Sequence, residues 1–356
     1  MKPAAPLLAV PFLDAYRSGG FASKGPAWLR GLREEAMARY AATGLPSTKD
    51  PAWAHTELRE VAATPYRPAP AGARVEAAAA DAHHFTGEGP RLVFVDGRLD
   101  ARLSRTGKLP LGVRLEGLAD AVGRDDGPLR NAFARGAKDA VPWASLNLGF
   151  LEDGALLRLD KGAVAPEPIH LLWLASGAHA EPAMVHPRLL VLAGEGSQAT
   201  LVETHAGLGT APTLTNAVAE IDASPGSVVR HVRIQRETYK AAHFHTLRVR
   251  QERASRVETF LLSLGAGTSR SETTVQLSGE GAETSADGLF LGTGRQSVEC
   301  RIRVEHDAPH TTSRQLYKGI LDGASRGAFY GSVLVRPAAQ KTDASQTNRN
   351  LLLSPK

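Results

Sequence analysis

The sequence predicts a mainly β chain, a solenoid of stacked strands with a small helical region in front of it. Short apolar-alternating runs recur between about residues 187 and 353, at Leu189–Ala193, Gln198–Glu203, Val218–Ile221, Val228–Ile234, Leu247–Gln251, Val257–Leu264, Thr273–Leu277, Gly288–Leu291 and Val298–Val304. Small-residue turns fall near Gly194-Glu195-Gly196, Ser224-Pro225-Gly226, Glu252-Arg253-Ala254-Ser255 and Gly279-Glu280-Gly281, a step of roughly 26 to 30 residues that lies in the range of solenoid repeats. No helical period interrupts this stretch. The mixed row Val228, Arg230, Val232 and Ile234 requires both strand faces to be partly covered, which coil stacked on coil provides. An antiparallel sandwich also fits the individual strands, although it normally places a turn every 8 to 12 residues or so.

In chain order, residues 27 to 44 read as a helix, with Trp28, Leu32, Ala36 and Tyr40 at steps of four and Gly44 placed to end it. Asp50-Pro51 supplies an N-cap and a first-position proline for a short segment carrying Trp53 and Leu58. Pro65, Pro68, Pro70 and Gly72 read as a linker. Arg91–Val95, Asp96-Gly97 and Arg98-Leu99 form the pattern of a tight hairpin. Residues 115 to 140 favour helix on either side of Asp125-Asp126-Gly127-Pro128, and strand-and-turn patterning runs from Leu146 onward. The expected division is a helical region at 1–64, a mixed α/β connection at 65–145 and the solenoid at 146–356.

Bulk properties narrow the function. A formal charge of +5 over 356 residues, with Lys and Arg interleaved with Asp and Glu, argues against nucleic-acid binding. Pro6 and Pro11 break the apolar run Leu7–Val10 and Asp14 follows it, a poor secretory signal. No uncharged apolar run reaches the 18 or so residues that span a bilayer, so a cytoplasmic protein without membrane contact is expected. The single cysteine, Cys300, excludes an intrachain disulfide framework. It also falls short of the four thiolates of a conventional iron–sulfur site, so the chain alone is expected to hold no cofactor.

Nucleotide motifs are absent, since Gly207-Leu208-Gly209 and Gly292-Thr293-Gly294 stand alone. His243 and His245, two apart on a strand, share a face and could take a metal with a third ligand such as His306, or could be a solvated row. Cys300, His306 and His310 form a second candidate ligand set, whereas alternation with Ile302 and Val304 reads Cys300 as an inert buried thiol and leaves His306 and His310 in a turn. His83-His84 read as surface residues. Many β-solenoids act on polysaccharides, so a β-helix lyase or hydrolase is the rival reading, although its candidate carboxylates Asp100, Asp160, Asp287 and Asp343 are scattered rather than clustered on successive coils.

Three consecutive motifs near the carboxyl end, Gln315–Leu321, Ser325–Gly331 and Ala339–Gln346 continuing through Asn348–Ser354, closely resemble the SufB/SufD family of iron–sulfur assembly scaffolds. Gly44-Leu45-Pro46-Ser47-Thr48-Lys49-Asp50-Pro51-Ala52-Trp53 is similar to the amino-terminal motif of the SufD branch, and Phe150, Asp153-Gly154, Lys161-Gly162 and Pro168–Leu171 look like the family's entry into its β-helix. The resemblance implies a right-handed parallel β-helix and a non-catalytic scaffold. It also implies pairing with a SufB-like subunit through the β-helices and work with a SufC-type ATPase docked on carboxyl-terminal helices. Without that partner a homodimer is one form open to the chain. Family members carry a Cys-x-His pair after the Asn-Leu-Leu-Leu-Ser motif; no residue up to Lys356 matches it, so no cluster ligand is assigned, and any iron–sulfur cluster would need the partner. His310, Arg314, Gln315, Lys341 and Asp343 are the expected interface residues, each of which also reads as a turn or a ladder position.

Overall fold

In the computed structural model, residues 10–85, 87–124, 127–138 and 141–354 are described. The amino-terminal run Leu7–Val10 lies largely outside them, as do Asp125, Asp126 and Lys356. Two long parallel sheets are wound by one chain into a solenoid of about six turns. The first contains, in spatial order, 326–335, 297–306, 268–277, 241–251, 213–223, 188–193, 155–159 and 113–117; the second contains 343–352, 312–321, 283–292, 256–263, 228–236, 198–207, 169–175, 91–95 and 98–99. Sequence neighbours therefore lie in opposite sheets. Register fixes the repeat: Val218 faces Thr246, Thr246 faces Glu272, Glu272 faces Arg301 and Arg301 faces Tyr330, steps of 28, 26, 29 and 29 residues.

One corner of each turn explains that period. Gly196, Gly226, Ala254, Gly281, His310 and Lys341 all have φ between 53° and 69°, the left-handed region in which glycine is unstrained. They are stacked by a backbone ladder: Gly196 N–H donates to Pro225 O, Gly226 to Arg253 O, Ala254 to Glu280 O, Gly281 to Pro309 O and His310 to Gln340 O, at 2.9 to 3.2 Å. The predicted turns are these corners.

Side chains beside this corner make an apolar stack. Val191, Ile221, Val249, Val275 and Val304 from the first sheet are at most 1% exposed and face Leu201, Val229 and Val257 of the second. Each such burial contributes roughly 1.5–3 kcal/mol. On strand 228–236 both faces are covered in part, and the mixed row of Val228, Arg230, Val232 and Ile234 is the outer one. Val228, Val232 and Ile234 lie on the outer, half-buried side, while His231, Arg233 and Gln235 point inward and are at most 3% exposed. Charge pairing inside the solenoid, described below, makes this tolerable.

The mixed region contributes more β structure than its pattern indicated. Arg91–Val95 joins the second sheet in parallel with 169–175 and turns through Asp96 (φ 49°) and Gly97 (φ 81°) into 98–99, the expected hairpin. Val113–Gly117 is a strand rather than helix, antiparallel to 155–159, and helices follow at Leu118–Gly123 and Gly127–Lys138. Strand patterning does not begin at Leu146, because Pro142–Gly149 is a helix with proline at its first turn. It is buried on all sides and so lacks an amphipathic stripe. Trp143 stacks on Phe244 at 4.0 Å and 7°, and Asn147 donates to Pro187 O and Asn216 O, fastening this helix to the first sheet. Helix Ala27–Thr43 packs on it, burying Leu29, Met37 and Tyr40. No helix of the described residues is long and apolar enough to cross a membrane.

Candidate functional site

Two regions gather the chemistry, the last turn of the solenoid and the polar half of its interior. At the last turn, 326–335 and 343–352 are the outermost strands of their sheets. Strand 283–292 alternates between buried and half-buried after its first residue, but every residue of 343–352 is exposed. Gln346 and Leu352 continue inward rows, in register with Gln315 and Leu321, yet nothing among the described residues lies over them. Val335, Leu351, Leu352 and Leu353 are 48–67% exposed there, beside Tyr330 at 53%.

The five residues expected at an interface are placed in and under this end. His310 and Lys341 are exposed left-handed corner residues. Arg314 is exposed and reaches Asp287 Oδ2 at 3.2 Å. Asp343 opens the last strand and is fully displayed. Gln315 differs: its side chain is 1% exposed inside the solenoid, with neither amide atom hydrogen-bonded. The turn and ladder positions are thus visible for all five. Of the scattered carboxylates, Asp100, Asp160 and Asp287 are engaged by Arg102, Arg114 and Arg314.

The other region lies beside the second corner, where strands of the second sheet end and those of the first begin. Glu203 is its centre, 1% exposed. Its Oε1 accepts from Trp173 Nε1 at 3.1 Å and lies 3.0 Å from His205 Nε2; its Oε2 lies 2.8 Å from His231 Nε2 and 3.8 Å from His245 Nε2. Glu237, from the corner itself, contacts His243 Nδ1 at 2.7 Å and accepts from Thr215 Oγ1 and Gln235 Nε2. Arg233 donates to His245 Nδ1 and Ser271 Oγ. Burial alone would raise the Glu203 carboxyl, but hydrogen bonds from His205 and His231, with the His245 ring close by, hold it well below the usual carboxylate range. For Glu237 the opposing pull of His243 likewise outweighs burial and leaves it at about 2. Burial, then Arg233, drives His245 down.

His243 and His245 are therefore neither solvated nor matched with His306. Both are 2% exposed and face Glu203, His205 and Glu237. His306 is buried at a strand end, tied to Thr311 Oγ1 at 2.7 Å and Ser313 Oγ at 2.9 Å, rather than in a turn. His310 lies on the surface, so Cys300, His306 and His310 are not assembled. Cys300 is a buried thiol pushed up to about 12 by burial, as its alternation indicated. His84 is half-buried, its Nδ1 2.7 Å from that of His170. The sequence reading passed over Glu203, His205, His231, Arg233 and Glu237. Alternation from Ala199 through Leu201 to Glu203 and His205 carries the signal, once the strand is extended to Gly207.

A family profile described as "SUF system FeS cluster assembly, SufBD core domain" matches residues 175–356, and "SufBD protein N-terminal region" matches 16–171. The chain is 30% identical to an "iron-sulfur cluster assembly SufBD family protein" of Synechocystis over 88% of this chain and 70% of that one. It is 26% identical to "iron-sulfur cluster assembly protein SufD" of Escherichia coli over 87% and 71% of the two chains, and 28% identical to chloroplastic protein ABCI7 of Arabidopsis thaliana over 60% and 46%.

Proposed function

Because the chain belongs to the SufB/SufD family of iron–sulfur cluster assembly proteins, we propose that it is a non-catalytic scaffold subunit of the SufD type, pairing with a SufB-like subunit and working with a SufC-type ATPase. The observation that carries this reading is the uncovered last turn. Two adjacent strands display unpaired edges, the inward row of 343–352 is bare, and a partner of the same cross-section would continue both ladders at once. Exposed Leu351, Leu352 and Leu353 add apolar area that a monomer has little use for.

In this reading the cluster is cargo. Cys300, buried and protonated, supplies no ligand, so thiolates come from outside residues 1–356. Residues 1–356 also contain no phosphate loop, so the ATP-hydrolysing site lies outside them. The test is co-expression of the full reading frame with SufB- and SufC-type subunits of the same source, followed by gel filtration with light scattering. A defined complex is expected, lost on Leu352→Asp with the melting temperature unchanged. A chain that stays apart from both subunits, or that cleaves polysaccharide by itself, would overturn the proposal.

A further inference from the structure

The interior cluster has no role in a docking reading, and its orphaned atoms point elsewhere. We propose that Glu203, His205 and His245 bind one divalent cation of the borderline class that includes zinc, cobalt and ferrous iron, inside the solenoid and apart from any cluster held with a partner. One carboxylate and two imidazoles match a known donor set for such ions. Their ligand atoms lie within 4.8 Å of one another. Two of the separations, 3.0 Å for Glu203 Oε1 to His205 Nε2 and 3.8 Å for Glu203 Oε2 to His245 Nε2, lie on either side of the ~3.4 Å that two tetrahedral ligands at zinc-like bond lengths subtend.

Unsatisfied nitrogens supply the second line of argument. His245 Nε2, His205 Nδ1, His231 Nδ1 and His243 Nε2 are buried with no hydrogen-bond partner. Such a concentration in one place calls for an ion or ordered water. Charge favours the ion: the cluster buries two carboxylates, Glu203 and Glu237, with one guanidinium, Arg233. The surroundings are also built for orientation. Trp173 and His231 hold the Glu203 carboxylate from outside the ligand trio, and Glu237 fixes the neighbouring His243 ring through its Nδ1.

Arg233 is the competitor. Its guanidinium has no acceptor, so His245 Nδ1 accepts from it, and His245 becomes a ligand only as Arg233 withdraws toward Ser271. An ion here would tie strands 198–207 and 241–251, one from each sheet, across the corner that joins successive turns.

The experiment uses the full chain purified from cells grown with added zinc or cobalt, so that loading accompanies folding. About one ion per chain is expected to survive gel filtration, with visible ligand-field bands of tetrahedral type for cobalt. His205→Ala and Glu203→Gln should each reduce retention at least ~10-fold, and the exposed His55→Ala should not. Arg233→Gln should increase it, a readout that stands even if the ligand variants fold poorly. No retained ion in the wild-type protein, water alone in the cluster, or equal retention in the ligand variants and His55→Ala would overturn the assignment.

Discussion

The guanidinium of Arg270 lies 3.6 Å from the centroid of the Trp53 ring, joining the amino-terminal helical unit to the wall of the solenoid. The same side chain, 1% exposed, pairs with Glu299 Oε2 at 2.6 Å and donates to Thr56 Oγ1 at 3.0 Å and Ala52 O at 2.8 Å. One arginine of the first sheet thus reads the whole Ala52–Thr56 segment. Arg270→Met would leave the carboxylate of Glu299 buried at 2% exposure with only Arg301 and Thr56 to compensate it. A loss of about 3–5 kcal/mol in denaturant unfolding is expected, together with faster proteolysis of the first 64 residues. A loss below ~1 kcal/mol would show that the docking is carried by Trp53, Trp143 and Phe244 alone.

Acid sensitivity follows from histidines kept neutral. His186 stacks on Phe150 at 4.9 Å, accepts from Asn216 Nδ2 at 3.2 Å, and is lowered by burial to about 3. Its folded value lies below the ordinary one, so the unfolded chain takes up the proton first. The resulting stability is complete above the unfolded pKa near ~6.5 and is lost progressively as pH falls toward about 3, at roughly 1.4 kcal/mol per pH unit. His170, also about 3 through burial and then His84 and Arg91, acts in the same direction. Urea midpoints measured between pH 7 and pH 4.5 should fall steadily, and His186→Phe should make that fall shallower. An unchanged slope would mean that His186 protonates without unfolding.

Much of the solenoid was legible because its corners are local. Gly196, Gly226 and Gly281 mark left-handed positions that a sequence displays openly, whereas Ala254, His310 and Lys341 occupy the same corner without any glycine to announce it. The interior was less legible. His205 and Glu203 come from one strand, His231 from the next turn of the same sheet, and His243 and His245 from the opposite sheet, so the cluster exists only once the turns are stacked in register. The polar inner face of 228–236 has the same origin, since Arg233 and His231 are stable inside only with Glu203 and Ser271 around them. The helix at Pro142–Gly149 escaped notice because a helix covered on every side has no period to detect.

Cys300 should be chemically silent in the native state. Its thiol is 2% exposed and raised to about 12, burial outweighing the nearby Arg233. At pH 8 the thiolate fraction is then about one in ten thousand, before access is considered. Reaction with an aromatic disulfide reagent should therefore follow global unfolding, with one thiol per chain titrating in denaturant and none in buffer over hours. Prompt labelling of the folded protein would place Cys300 on an opening segment and remove one support for treating the cluster as cargo with external thiolates.

His310 allows the two sequence readings, corner and interface, to be separated. At φ 57° it occupies backbone that an L side chain adopts at a cost of about 1–2 kcal/mol. Glycine removes that strain but gives back ~0.4–1 kcal/mol through the freer unfolded chain, so His310→Gly should change stability by no more than about 1 kcal/mol. His310→Val, with a β-branched side chain that resists positive φ, should cost about 1–3 kcal/mol. Both shifts belong to the corner alone, and His310 N–H continues to donate to Gln340 O in either variant. Affinity for a SufB-type subunit is the separate measurement. If the imidazole is part of the docking surface, His310→Gly weakens the complex while leaving the melting temperature near wild type; equal affinity would confine His310 to the turn and leave the exposed leucines of the last strand as the contact.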